Sequence, residues 1–423
     1  MPETGIPGVR PTSVVFVNRF FHPDESATSR LLSDLAFRLV RRGVPVSIVT
    51  SRQLYENPSA RLPAHEIIDG VEIFRTAGTA LGRRTLAGRA LDYLTFHLSA
   101  ALTLMRVVHP GDVVVAKTDP PLISVVTSWV AKWRGASLVN WLQDLFPEVA
   151  IALVPAAMPR WMQSAMTRAR DRSLRRAAFN VVLGERMGAI LTRRGIDPDR
   201  IRVIPNWSDC DAVVPVEADC SLTRRELGLL DRFVIGYSGN FGRAHEFETL
   251  IAAARLLADD AGFAFLMTGG GAKNAPLRAA VERAGLTGFH FQGYQPAERL
   301  SDSMAAADVQ LVSLLPAVEG LIVPSKVYGI LAAGRPVVFV GDTDGEVARM
   351  IARHDCGIAV PVGDGPGLAE ALRMLKADPV RRASMGANAR HCALTRHTSE
   401  HATGQWLEML GKIAELRLLV AAR

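Results

Sequence analysis

The chain has 423 residues, more than one ordinary hydrophobic core organises, so we expect two domains. Hydrophobic residues make up 48% and charged residues 22% of the sequence, which excludes a disordered chain. Lysine and arginine (49) outnumber aspartate and glutamate (42), and the net charge of +7 suits an anionic partner such as nucleic acid, acidic lipid or a phosphorylated substrate. A basic surface without any partner explains the charge equally well.

The four cysteines are scattered and form no C-x-x-C pair, which is typical of reduced thiols in a cytoplasmic protein. The first 13 residues contain no apolar core, so we expect no signal peptide. No uninterrupted apolar run has the length of a membrane span, because His97 and Arg106 interrupt the stretch at residues 96–108. We therefore expect a protein that touches a membrane at most from one side.

The first half of the chain alternates short β-branched runs with helical patterns. SVVFVN (residues 13–18) predicts a buried parallel strand, and apolar residues at helical spacing from Leu31 to Val40 predict a helix that ends at Gly43. Further strands are predicted at residues 44–50, 112–117, 136–142, 178–184 and 201–206.

The second half repeats this alternation after a polar, acidic segment at residues 208–231, which predicts a linker. Its strand patterns lie at residues 233–238, 263–271, 289–293, 308–313 and 336–340. Two such series predict an α/β protein with two Rossmann-like, doubly wound parallel-sheet domains, residues 1–207 and 232–398, that face each other across a cleft. The helical stretch at residues 399–423 is expected to pack back on the first domain.

Ligands of such sheets bind at the carboxyl ends of the strands, so the loops there are the candidate sites. EGLIVPSKVYGILAAGRP (residues 319–336) places Ser325 and Lys326 at the start of a helix that ends at Gly334. Free amide groups, a hydroxyl and a positive charge at this point suit a diphosphate, and Glu319 suits sugar hydroxyls. A capped helix with a solvated lysine is an equally good interpretation.

Glycine-containing loops follow two neighbouring predicted strands. GYSGNFGRAHE (residues 236–246) offers Gly239 and Gly242 for close approach to a phosphate and Arg243 for charge, and TGGG (residues 268–271) is similar. A tight strand-to-helix turn explains each loop alone somewhat better. Three such loops in one domain favour a phosphate site.

In the first domain, QDLFPE (residues 143–148) follows a strand, so Gln143 and Asp144 are expected to face the cleft. Asp144 suits a sugar hydroxyl or proton transfer from an acceptor, although an aspartate also commonly caps the next helix. Lys117, Thr118 and Asp119 are similar candidates at the end of their strand.

Other chemistries find no support in the sequence. It contains no H-E-x-x-H, G-x-S-x-G or Walker motif, and its ten histidines do not cluster at metal-ligand spacing. The D-x-D triplets at Asp197, Asp209 and Asp342 lie in turn-like stretches. We therefore expect neither a metal ion nor an organic cofactor.

The stretch at residues 159–176 carries six arginines and one aspartate, interleaved with Trp161, Met162 and Met166. A helix of this composition suits an anionic membrane surface. The stretch at residues 81–106 is basic at its start and apolar later. A helix that packs its apolar side on the sheet is the more ordinary explanation for both.

Taken in order, these segments resemble the retaining GT-B glycosyltransferases of family four. The likeness is greatest to the bacterial group that makes O-antigen, colanic acid and other exopolysaccharides, which includes fucosamine transferases. Its most specific parts are FHPDESATSRL, KTDPPL, NWLQDLFPE, VIPNWSD, YSGNFGRAHEFETLI and EGLIVPSKVYGILAAGRPVV.

The resemblance implies transfer of a hexosyl or N-acetylaminosugar unit from a nucleotide-sugar donor, a UDP-sugar, with retention of configuration. The acceptor would be lipid-linked or a glycan at the anionic inner face of the cytoplasmic membrane, and no nucleic acid or metal would take part. The implied catalytic residues are Asp144, Glu319, Lys326 and Arg243. The implied donor-binding residues are Gly239, Asn240, Gly242, Gly269, Gly270, Tyr294, Leu321, Ile322 and Ser325. On the acceptor side they are Gln143, Lys117, Asp119, Ser26 and Thr28.

The sequence departs from the family pattern at several of these positions. The family's ribose-binding glutamate falls on Gly329, so the ribose contact must differ. Asn240 and His245 stand where the family has its phosphate-binding arginine and lysine, and Lys326 is expected to supply the missing charge. The first-domain histidine of the family falls on Gln143.

Two other functions fit the same pattern. A GT-B sugar-phosphate epimerase would turn over the donor without a glycan acceptor, and a binding module would hold the nucleotide sugar without turnover. A NAD-dependent oxidoreductase is disfavoured, since no G-x-G-x-x-G opens either domain.

Overall fold

The computed structural model describes residues 13–81, 86–154 and 158–421. The expectation that no signal peptide is present concerns residues that lie almost entirely outside this part. Residues 82–85 of the second basic stretch and residues 422–423 of the C-terminal helix also lie outside it.

The first domain is an α/β unit built on one sheet. Its elements are β1 (Val14–Val17), α1 (Ala27–Arg41), β2 (Val46–Ser51), β3 (His65–Ile68), β4 (Val71–Thr76), α2 (Leu86–Val107), β5 (Val113–Lys117), α3 (Ile123–Arg134), β6 (Ser137–Trp141), α4 (Glu148–Leu153), α5 (Arg160–Arg176), β7 (Phe179–Val182), α6 (Glu185–Arg193) and β8 (Ile201–Val203). The central strands are β-branched and buried on both faces, as parallel strands between helical layers are.

The eight strands lie in the order β3-β4-β2-β1-β5-β6-β7-β8, and one pair departs from the predicted parallel sheet. β3 and β4 form an antiparallel hairpin at the sheet edge, which the sequence analysis missed. Asp69 and Gly70 turn the chain there with positive φ angles of 47° and 80°. An Asp-Gly pair suits such a turn, because both positions require the left-handed region.

The second domain is entirely parallel. After α7 (Leu222–Glu226) it contains β9 (Phe233–Ser238), α8 (Glu248–Leu256), β10 (Phe263–Thr268), α9 (Asn274–Arg283), β11 (Phe289–Gln292), α10 (Leu300–Ala305), β12 (Val309–Ser313), α11 (Lys326–Ala332), β13 (Val337–Gly341), α12 (Glu346–His354), β14 (Gly357–Pro361), α13 (Gly365–Ala377) and α14 (Pro379–Arg396). The strand order is β11-β10-β9-β12-β13-β14, with β14 an edge strand that the sequence analysis did not predict.

The segment expected to be a featureless linker is folded onto the second domain. It contains α7, whose Arg224 is buried and pairs with Asp308 at 3.0 Å. Asp302 accepts hydrogen bonds from the Thr223 amide and hydroxyl at the start of the same helix. These contacts fix the segment at the amino ends of the central strands β9 and β12 of the second sheet.

After α14, the chain returns to the first domain as α15 (Ser399–Ala421). The two crossings between the domains lie side by side, since the Ser208 amide donates to the His397 carbonyl at 3.0 Å. On α15, Trp406 is fully buried, and its ring centre lies 4.9 Å from that of Trp141 and 6.0 Å from that of Phe16. The C-terminal helix is thus part of the core beneath the first sheet.

We predict that Trp406→Ala lowers the free energy of unfolding by about 3–5 kcal/mol, because it empties a buried aromatic site. Urea denaturation followed by circular dichroism measures the loss. Leu416→Ala on the same helix is the control, since Leu416 is exposed and its truncation should cost at most about 0.5 kcal/mol. Equal losses for the two variants would contradict this packing role of α15.

Candidate active site between the domains

The loops after β9 and β10 pack backbone against backbone. Gly239 and Gly269 have φ angles of 123° and 131°, and a Cβ atom on Gly269 would lie 2.0 Å from the Gly239 oxygen. The Gly239 amide donates to the Thr268 oxygen at 2.9 Å, and the Phe241 amide donates to the Gly270 oxygen at 2.8 Å. Glycine at 269 is therefore required by the contact between the loops. A Cβ atom on Gly239 would instead lie 3.7 Å from Cε of Lys326, so the expectation that Gly239 lets a phosphate approach stays a prediction.

Lys326, the first residue of α11, reaches across to the β9 loop. Its Nζ lies 3.6 Å from the centre of the Tyr237 ring and 3.4 Å from the backbone carbonyl oxygen of Asn240. The side chain is half-buried, and this burial lowers the pKa of Lys326 well below its ordinary value. Within the described part of the chain it forms no ion pair, so a bound anion would relieve the cost of burying the charge.

Polar groups beside Lys326 remain available to a ligand. The Asn240 and Arg243 side chains are exposed, and the amides of Asn240, Gly242 and Arg243 donate to no acceptor within the described ranges. Ser325 is also exposed, and its hydroxyl does not cap α11. Five predicted residues thus converge on one small region.

His245 does not replace the charge of the family's lysine. Its Nδ1 lies 2.6 Å from the backbone carbonyl oxygen of Ser313. Burial together with the nearby Lys326 lowers the pKa of His245 to about 3. The imidazole is therefore neutral at physiological pH. Lys273, which the sequence analysis missed, donates through Nζ to the His245 carbonyl and adds a second ammonium beside this loop.

Tyr294 borders the same region from the loop after β11. Its hydroxyl donates to the Gly270 oxygen at 3.0 Å, and its ring remains more than half exposed. A Cβ atom on Gly270 would lie 3.1 Å from that ring. Glycine at position 270 thus lets the aromatic ring approach the loop closely.

The Glu319 carboxylate has a hydrogen-bond partner within the protein. Its Oε1 accepts a hydrogen bond of 2.8 Å from the Glu346 amide at the start of α12, and burial raises the pKa of Glu319. This carboxylate therefore caps a helix, and its expected sugar contact stays a prediction. At Gly329, a Cβ atom would lie 3.1 Å from the Met304 methyl, which leaves little room for the family's glutamate.

The Leu321–Ile322 segment joins the two domains through its backbone. The Leu145 amide donates to the Leu321 oxygen at 2.9 Å, and Ile322 forms an antiparallel bridge with Asp144. The loop predicted to bind the donor is therefore held against the loop predicted to face the acceptor. This pairing brings Asp144 to the domain boundary.

Asp144 lies in a desolvated position beside a second carboxylate. Burial and the charge of Asp119 raise the pKa of Asp144 to about 7, although a hydrogen bond from Thr118 opposes the shift. Its Oδ1 is buried and has no partner among the described residues. A cavity of about 20 Å³, enough for one water molecule, adjoins Asp144.

Two other residues of the acceptor side have internal partners. Lys117 is 1% exposed, donates to the Thr28 oxygen at 2.7 Å and lies 3.8 Å from the centre of the Trp141 ring. The expectation that Lys117 faces the cleft is therefore corrected, because its ammonium fastens the start of α1. Gln143 and Asn206 exchange two side-chain hydrogen bonds of 3.1 and 2.9 Å.

The remaining acceptor-side residues lie near these groups. Ser26 precedes α1, and its buried hydroxyl has no partner in the described ranges. Asp119 is half-buried beside Asp144, and its carbonyl accepts a hydrogen bond of 2.7 Å from the Arg19 amide. Ser26 and Asp144 thus each keep a buried oxygen without a partner in the described ranges, and the expected contacts of Ser26, Asp119 and Asp144 with an acceptor stay predictions.

The basic stretch at residues 159–176 forms α5, but one of its six arginines is not on the surface. Arg170 is buried and pairs with Glu148 at 2.7 Å and Asp171 at 2.8 Å. The expectation that Arg170 belongs to a membrane-facing surface is therefore wrong, because its ion pairs hold α5 to the rest of the first domain. The other five arginines of α5 are exposed.

Two family models match the two halves of this architecture. Residues 27–207 match the Glycosyl transferase 4-like domain, and residues 232–378 match Glycosyl transferases group 1. The chain is a GT-B glycosyltransferase of family four. Its two facing parallel-sheet domains confirm the fold class expected from the sequence, apart from the antiparallel edge strand β3.

Three individual proteins that are similar to this glycosyltransferase support its assignment to the family. The probable glycosyltransferase WbjE of Pseudomonas aeruginosa is 28% identical over 310 residues, which cover 71% of this chain and 74% of WbjE. The putative colanic acid biosynthesis glycosyl transferase WcaI of Escherichia coli K12 is 27% identical over 282 residues, covering 62% and 69%. HepE of Anabaena, solved in complex with UDP-glucose, has the same fold, with a TM-score of 0.71, 17% identity and coverage of 95% and 99%.

We predict that Asp144→Asn stabilises the glycosyltransferase at high pH and not at low pH. The folded-state pKa of Asp144 is above its unfolded value, so the charged carboxylate destabilises the fold above about pH 7. This cost shrinks as the pH falls below 7 and is small at pH 4, where the carboxyl is neutral in the folded state and about half protonated in the unfolded state. Melting temperatures at pH 8 and pH 4 test this, with Asp259→Asn, at an exposed site, as the control. A variant less stable than the wild type at pH 8 would contradict the prediction.

Proposed function

We propose that this glycosyltransferase transfers a hexosyl or N-acetylaminosugar unit from a UDP-sugar, with retention, to a lipid-linked or glycan acceptor in cell-surface polysaccharide synthesis. The transfer uses neither a metal ion nor an organic cofactor. The observation that carries the proposal is the half-buried ammonium of Lys326, which has no ion-pair partner in the described chain and lies against the β9 loop.

The donor diphosphate is proposed to bind between Lys326 and the Asn240–Arg243 loop. Positive charge held in place before the reaction stabilises the negative charge that develops on the leaving diphosphate. Lys273 lies close enough to share this role, and exposed Arg243 adds a third cation. These residues stand in for the arginine and lysine of the family pattern, which this sequence replaces by Asn240 and His245.

The choice of a UDP-sugar rests on relatives. HepE, which shares the fold, was crystallised with UDP, with UDP and glucose, and with UDP-glucose. Tyr294 offers an exposed ring at the edge of the proposed phosphate site, a surface on which a nucleobase could stack. The names of WbjE and WcaI support polysaccharide synthesis as the setting.

The acceptor is proposed to bind on the first-domain side, beside Asp144. With a pKa of about 7, this carboxyl exchanges a proton near physiological pH, so it suits a hydroxyl acceptor that must lose one. A lipid-linked acceptor implies work at the inner face of the cytoplasmic membrane. Within the described residues no helix is long and apolar enough to cross a bilayer, and the proposed association is peripheral.

We predict that Lys326→Met weakens UDP binding by roughly tenfold to a hundredfold, the range expected when one charged hydrogen bond to a phosphate is lost. Arg243→Met should weaken it less, because that side chain is exposed. Isothermal titration calorimetry with UDP and GDP measures both effects. Lys412→Met, at an exposed lysine on α15, is the matched control and should bind as the wild type does.

Hydrogen exchange with and without UDP locates the site independently. Bound UDP should protect the segments that contain Asn240 and Ser325. If Lys326→Met binds UDP as tightly as the wild type, or if neither segment is protected, the diphosphate does not lie where we propose.

A further inference from the structure

The helices α2, α3 and α5 lie side by side on one face of the first sheet. α3 packs between the other two, and the Ser173 hydroxyl of α5 contacts that of Ser124 on α3 at 3.0 Å. The opposite face of the sheet is covered by α1 and α15. We call the outward side of α2, α3 and α5 the three-helix face.

α2 is apolar on both of its sides. Its inner stripe of Phe96, Ala100 and Leu104 is buried against the sheet. A helix on the surface of a globular domain normally turns polar residues outward, but α2 does not. Its outward leucines recur at spacings of three and four residues and are 43–63% exposed: Leu91, Leu94, Leu98 and Leu102.

Tryptophans extend this apolar surface onto the neighbouring helices. Trp129 and Trp133 on α3 are 49% and 68% exposed, and their ring centres lie 5.5 Å apart. Trp161, at the start of α5, is 72% exposed. Three of the six tryptophans of the chain thus face outward on one side of one domain, and tryptophan is the residue that favours the boundary between water and lipid.

The same helices carry the positive charge of the protein. Together they contain ten of its 49 arginines and lysines and two of its 42 acidic residues. Both acids, Asp92 and Asp171, are buried, so no carboxylate of these helices is exposed. The remainder of the chain is close to neutral, so these three helices account for the net charge of +7, and Arg170 is the one buried member of their ten basic residues.

We propose that the three-helix face is the surface on which this protein lies against an anionic lipid bilayer. Leucines and tryptophans would enter the headgroup region, while arginines such as Arg160, Arg168 and Arg172 would meet lipid phosphates. The leucine stripe from Leu91 to Leu102 is about 17 Å long at 1.5 Å per residue, which suits a helix lying in the plane of the interface. This inference rests on the proposed function and names the surface that serves it.

The position of the face agrees with the proposed acceptor site. The cavity beside Asp144 is lined by Leu122, Ile123 and Ser124 at the start of α3 and by Arg170 of α5. The helices that would rest on the membrane therefore also reach the surroundings of Asp144, where the acceptor is proposed to bind.

Vesicle flotation tests the proposal with the full chain. Wild-type protein should float with vesicles of phosphatidylcholine and phosphatidylglycerol and much less with phosphatidylcholine alone, and salt should weaken the binding. The double variant L98Q/L102Q should bind the anionic vesicles at least about tenfold more weakly, because two leucines no longer enter the interface. L256Q/L394Q, which changes two leucines of similar exposure in the second domain, is the matched control and should bind as the wild type does.

Two results would overturn the proposal. One is equal vesicle binding by both double variants. The other is a wild type that ignores vesicles and sediments as a dimer, which L98Q/L102Q turns into a monomer, since the face would then join two copies of the chain. UDP binding measured without vesicles separates this inference from the proposed function. A protein that binds vesicles but not UDP contradicts only the proposed function. A protein that binds UDP but not vesicles contradicts only the membrane surface inferred here.

Discussion

The position of the Lys326 ammonium is the constraint on which the proposed site depends. A half-buried cation without a counter-charge in the described chain is costly, and the fold holds it there through the first turn of α11 and the Tyr237 ring. The close contact between Gly239 and Gly269 shapes the loop that it faces. A bound diphosphate would offset the unfavourable free energy of this buried charge and would therefore bind more tightly. This gives a physical reason for a lysine at this position that has no ion-pair partner in the described chain.

In the proposed reaction the second domain supplies positive charge and the first domain supplies a proton acceptor, so the relative position of the two domains matters. Backbone pairing between Asp144 and Ile322 sets that position at the site itself. The paired crossings at Ser208 and His397 set it again where the chain passes from one domain to the other, and the ring centre of His397 lies 5.0 Å from that of Tyr328 on α11. α15 completes the first domain by burying Trp406 beneath its sheet. The backbone pairings at Asp144 and at Ser208 hold the two domains together at their boundary.

Local patterns in the sequence predicted most of the fold, because buried β-branched runs and helical periodicity are local properties. The β3–β4 hairpin was missed although Asp69-Gly70 was its signal, since β3 is exposed or half-buried along its whole length and so has no buried apolar run. Side-chain direction could not be predicted in the same way. Lys117, Arg170 and Glu319 occur at the expected loops and helices, but their buried partners come from residues distant in sequence. Tertiary contacts decide whether a charged residue meets a ligand or the protein.

Label transfer from the donor tests the central claim most directly. Membrane lipid extract and a panel of radiolabelled UDP- and GDP-sugars would be incubated with the wild type and with Lys326→Met, and label entering the lipid or glycan fraction would be counted. We expect label from at least one UDP-sugar with the wild type and a strongly reduced rate with the variant. Release of UDP without any labelled product, or an unchanged rate with Lys326→Met, would contradict glycosyl transfer through this site.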